Sequence, residues 1–91
     1  MATESRYDVV IVGARCAGAT LATFLARAGA SVLLVDKEPL PSDQILSTHT
    51  IHPPGLDVLD AVGVGDAVRA VAPPTHIVRL RKNDAFVDIE F

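Results

Sequence analysis

The sequence predicts an α/β fold built on a strand, helix, strand unit, and three observations predict it. A β-branched run from Tyr7 to Val12 ends at Gly13, a helical apolar period runs from Ala17 to Ala28, and a second aliphatic run from Val32 to Val35 ends at Asp36. Two parallel strands joined by one helix form a right-handed crossover, because that hand is nearly obligatory.

Taken in order, the first run is nearly continuous in apolar character, the pattern of a strand buried on both faces of a parallel sheet. In the helix, Ala17, Leu21, Phe24, Leu25 and Ala28 are expected on one face, with Thr20, Thr23 and Arg27 on another. Gly29 supplies a left-handed stop. Residues Pro39 to His52 show no period and read as a long ordered loop. A short helix is expected over Leu56 to Val62, with Asp57 and Asp60 read as favourable charge near its N-terminus and Gly63 closing it. A further helical turn is expected over Asp66 to Val71, before Pro73 and Pro74 break the chain. His76 to Phe91 reads as a hairpin about Asn83 and Asp84, with Leu80 opposite Val87, Val78 opposite Ile89 and Arg79 opposite Asp88. That register gathers four aliphatic side chains on one face and an opposite-charge pair on the other.

Composition bounds the function. At 91 residues the chain fits one small domain with a modest core. Hydrophobic content of 49% and mean hydropathy of +0.36 argue against disorder. A net charge of −3 gives no electrostatic footprint for nucleic acid. Charged residues interrupt every apolar stretch well short of the ~20 residues that cross a bilayer. With a single cysteine, and no signal-peptide pattern over Met1 to Arg6, the expected compartment is cytoplasmic.

The chemistry-bearing pattern is Gly13-Ala14-Arg15-Cys16-Ala17-Gly18, placed directly after the first strand and opening the helix, with Asp36 eighteen residues after Gly18. That spacing agrees with the roughly 20 residues of the dinucleotide-binding fingerprint of Rossmann-like folds. Gly13 permits the tight turn and Gly18 lets helix and sheet approach closely. The turn offers bare amides and about half a positive charge to a diphosphate, while Asp36 accepts from ribose hydroxyls. Arg15 stands where the middle glycine is usual, so its guanidinium either pairs with a phosphate or points to solvent. The fingerprint serves both FAD and NAD.

From Tyr7 to Glu38, and again from Leu46 to Val64, the sequence resembles the start of FAD-dependent monooxygenases of the para-hydroxybenzoate hydroxylase type. It is also similar to geranylgeranyl-reductase-like and halogenase-like flavoproteins. The resemblance implies three parts. Residues 7–36 are an ADP-binding βαβ unit, residues 37–75 a loop with short helices, and residues 76–91 the first hairpin of a substrate-domain sheet. Together they make residues 1–91 an incomplete N-terminal FAD-binding domain. Gly13 to Gly18, Asp36 and Lys37 would contact FAD. Ser47 and Thr48 would substitute hydroxyl and backbone donors for the arginine that many members place in the crossing loop. A second FAD motif and the catalytic residues would lie beyond residue 91, and the implied reaction is hydroxylation of a small organic substrate with NAD(P)H as transient reductant. An isoprenoid-type flavin reductase, an NAD-binding dehydrogenase and a nucleotide-binding module without turnover are the alternatives. A dehydrogenase should continue with a third parallel strand, whereas Arg79 to Phe91 reads as antiparallel.

The weaker signals have ordinary readings. His49, His52 and His76 lack familiar metal-ligand spacing, although His49 or His52 facing the flavin is a secondary reading. Cys16 is expected to pack rather than react, and Arg79, Arg81 and Lys82 to pair across the hairpin with Asp88 and Glu90.

Overall fold

The computed structural model describes residues 4–42 and 46–91. The middle of the expected loop, Asp43 to Ile45, and the first three residues of the segment read for a signal peptide lie outside them. The elements run β1 (Val9–Val12), α1 (Cys16–Arg27), β2 (Val32–Val35), α2 (Pro53–Val62), α3 (Gly65–Val71), β3 (Ile77–Lys82) and β4 (Ala85–Glu90).

Strands β1 and β2 pair in parallel from Val9 opposite Val32 to Val12 opposite Val35. Gly13 extends the ladder, its amide donating to the Val35 carbonyl at 2.7 Å. At the other end Asp8 fixes where β2 begins, accepting the Ser31 amide on Oδ2 at 2.7 Å while its own amide donates to the Ser31 carbonyl at 2.9 Å. Helix α1 ends in a Schellman closure. Gly29, at φ +91°, donates to Ala26 and Ala30 donates to Leu25, so two terminal carbonyls are satisfied. Gly63 ends α2 in the same way.

The rotation of α1 differs from the periodicity reading. Gly18, Ala19, Thr20, Ala22, Thr23 and Leu25 are half-buried, including two threonines expected on the other face, while Leu21 and Phe24 are 49% and 41% exposed. Gly18 lies against the Gly13 carbonyl and Ile11, and that contact fixes which side of the helix starts on the turn. The expectation of a strand buried on both faces is also corrected. Ile11 is buried under α1, but Val10 is 57% and Val12 83% exposed, because no described element packs on the opposite face.

Helix α2 begins three residues before the expected start, since Pro53 and Pro54 at its first positions have φ already set for a helix and no amide to satisfy. Asp57 and Asp60 therefore fall outside its first turn. Asp60 instead receives a two-pronged Arg69 guanidinium at 2.6 and 2.8 Å, joining α2 to α3 across Gly65. A β-carbon at Gly65 would overlap the Asp60 carboxylate. Arg27 links α1 to α2 by donating to the carbonyls of Ala61 (2.6 Å) and Val62 (3.0 Å), the otherwise unpaired acceptors of a helix C-terminus.

Strands β3 and β4 form the expected hairpin in the expected register, turning at Asn83 with φ +55°. Arg79 forks onto Asp88 at 2.7 and 2.9 Å and lies 4.0 Å from the centre of the Phe86 ring. Among the described elements the hairpin touches no other. The radius of gyration is accordingly 18.3 Å, against about 12 Å for a compact domain of this length. No helix among the described residues is long and apolar enough to cross a membrane.

Candidate functional site

The site forms where β1 passes into α1. Gly13 takes φ +109°, a conformation that residues with a side chain rarely adopt, and this reverses the chain within one residue. A β-carbon on Gly18 would overlap the Gly13 carbonyl oxygen and stand 2.8 Å from its carbonyl carbon and 3.3 Å from Ile11 Cγ2. Both glycines are therefore sterically required. Together they bring the start of α1 to the end of β1.

Arg15 is the N-cap of α1, in extended conformation, and its side chain caps nothing; no acid occupies the first turn. Among the described residues no protein acceptor meets the amides of Arg15, Cys16 or Ala17. These are the orphan donors of a helix N-terminus and carry its partial positive charge. Cys16 is the first residue of the helix and exposed rather than packed.

Asp36 closes the other side. Its Oδ2 accepts the Ala14 amide at 2.8 Å and its Oδ1 accepts the Glu38 amide at 2.9 Å. The Ala14 amide, then the Glu38 amide, hold this carboxyl below the ordinary value of 3.8, and the positive charges of Arg15 and Lys37 add to the effect. A sequence reading expects bare amides along the whole turn. At Ala14 the amide is instead taken by Asp36, which ties the end of β2 to the turn. Asp36 thus faces the mouth of the turn and keeps lone pairs for a further donor.

Between these groups lies a cleft of about 630 Å³, walled by Val12, Gly13, Arg15, Asp36 to Pro39, Pro41 and Ser42. Cations of Arg15 and Lys37 stand beside the carboxylates of Asp36 and Glu38, with valine and proline surface behind them. Ser47 and Thr48 do not line it. Ser47 Oγ accepts the amide of His49 at 3.1 Å, and the Thr48 carbonyl accepts the Thr50 hydroxyl at 3.2 Å, so this loop is held by its own short-range bonds. The role of Asp36 in bracing the turn, and the presence of Ser42 in the wall, are features that sequence reasoning missed. No periodic or motif signal marks either one.

A flavin dinucleotide fits this donor set. Uncapped helix amides suit a diphosphate, and a close-packed glycine leaves room for its approach. A carboxylate at the end of the second strand suits ribose hydroxyls.

Comparison with known proteins agrees with that chemistry. Residues 6–90 match the family described as FAD binding domain. FAD-dependent monooxygenase atmM of Aspergillus flavus is 35% identical over 94% of this chain and 18% of its own length. FAD-dependent monooxygenase prhF of Penicillium brasilianum is 34% identical over 97% of this chain and 18% of its own length. Squalene epoxidase erg1 of Schizosaccharomyces pombe is 32% identical over 78% of this chain and 15% of its own length. The chain thus spans less than a fifth of each of these relatives. No solved structure matches it. With the match running over nearly all of its residues, the chain belongs to the family described as FAD binding domain, whose cofactor is FAD.

Proposed function

We propose that this chain holds the ADP half of FAD in a flavin-dependent oxidoreductase of monooxygenase type, with residues 7–36 as the ADP-binding unit of an incomplete FAD-binding domain. The observation that carries the proposal is the Asp36 carboxylate bound to the Ala14 amide at the start of α1, whose Arg15 N-cap lines the same cleft as Asp36 and carries no side-chain cap. In this reading the amides of Arg15, Cys16 and Ala17 face the diphosphate, and Gly13 and Gly18 keep its approach clear. Ala14 orients Asp36 towards the ribose. Lys37 adds positive charge at the rim, and Ser47 and Thr48 lie on the loop that crosses the cofactor further along.

The flavin supplies the redox chemistry when bound, and the polypeptide supplies binding and orientation. NAD(P)H as reductant, dioxygen as oxidant and a small organic molecule as substrate complete the proposed reaction, one oxygen atom entering the substrate and the other leaving as water. The antiparallel hairpin β3–β4 favours a flavoprotein over an NAD-binding dehydrogenase, which would continue its sheet in parallel.

Titration calorimetry of the 91-residue chain with ADP tests the reading. ADP should bind. ADP carrying a 2′-phosphate should bind about tenfold more weakly or worse, because the added charge meets Asp36. Absence of ADP binding, or equal affinity for the two ligands, would overturn it.

A further inference from the structure

One uncharged polar group in the wall of the cleft is buried. Ser42 lines the cleft together with Asp36, and its Oγ is buried and meets no hydrogen-bond partner. Buried polar groups are almost always paired, because a hydroxyl removed from water and left unbonded loses its solvent hydrogen bonds without replacement. The exceptions call for an explanation. Asp36 nearby is paired with the amides of Ala14 and Glu38, and the helix amides are open by their place at a helix start.

We infer that Ser42 is a further ligand-contacting residue, whose hydroxyl hydrogen-bonds the adenosine portion of the nucleotide in the Asp36 cleft. The inference rests on the nucleotide reading proposed above and adds to it a specific contact on the opposite wall. Position assigns the portion of the ligand. The open amides lie at the start of α1, whereas Ser42 stands with Pro39 and Pro41 on the segment leading away from Asp36, the side of the sugar and base. A hydroxyl both donates and accepts, so it matches either a ring nitrogen or a ribose hydroxyl. Rotation about χ1 between staggered positions is the motion by which the hydroxyl would meet the ligand.

The test compares the wild-type chain with Ser42→Ala and Ser42→Cys, titrating each with ADP and with inorganic pyrophosphate and melting each without ligand. Loss of one hydrogen bond should weaken ADP binding by about three- to tenfold in both variants. Pyrophosphate affinity should not change. Because the hydroxyl has no partner in the free chain, ligand-free Ser42→Ala should melt no lower than wild type. The proposal is overturned if both variants bind ADP as tightly as wild type, the nucleotide reading then surviving without it. It is equally overturned if ADP and pyrophosphate weaken together, or if the free variant loses stability, since either result makes Ser42 a structural residue. A wild-type chain that binds pyrophosphate but not ADP removes both readings.

Discussion

Gly18→Ala probes the contact on which the site depends, and the structure sets two opposing effects against each other. In an ordinary helix interior the change stabilises by about 1 kcal/mol through helix propensity. Here the new β-carbon would overlap the Gly13 carbonyl oxygen and press on the Gly13 carbonyl carbon, backbone that no rotamer change can move. Overpacking of that kind costs about 1–3 kcal/mol, and a backbone obstacle belongs at the upper end. The net loss is therefore about 2 kcal/mol. For a chain of this size that lowers the melting temperature by about 8–16 °C. Since relief comes only by moving α1 away from the turn, its first amides shift relative to Asp36, and ADP affinity should fall with stability. Circular-dichroism melting and ADP titration of the purified variant read both effects. A variant as stable as wild type, or more stable, would show that propensity outweighs the clash and would refute the close packing of helix on turn.

Three further outcomes follow from other contacts. Arg27→Ala removes both donors from the Ala61 and Val62 carbonyls and should cost about 1 kcal/mol, seen in denaturant unfolding together with faster amide exchange in the last turn of α2. Asp36, Asp60 and Asp88 all have carboxyls held below 3.8. Their contribution to stability is complete above that value and is lost as pH falls through the lower folded-state values, so acid titration of unfolding should steepen below pH 3.8, and Asp36→Asn should flatten that limb. Arg79→Ala removes the fork to Asp88 and the stack on Phe86, and should weaken cross-strand nuclear Overhauser contacts between β3 and β4 while leaving those of β1 and β2 unchanged.

Local patterning determined a good deal of this protein. The βαβ order, both glycine helix stops and the hairpin register follow from side-chain period and turn chemistry, which act over a few residues and are written along the chain. Gly13, Gly18 and Asp36 were legible for the same reason, as residue types at a required spacing. Three-dimensional packing decided the rest. It set Gly18 of α1 against the Gly13 carbonyl and left the larger Leu21 and Phe24 exposed, because a backbone contact constrains the helix start in a way that apolar period does not encode. It moved Asp60 from an expected helix-start charge to the partner of Arg69, and placed the Asp36 carboxylate on the Ala14 amide. It also left Ser42 buried without a partner. Each of these depends on which groups distant in sequence approach within hydrogen-bonding or van der Waals distance, a property of the folded backbone that no local pattern encodes.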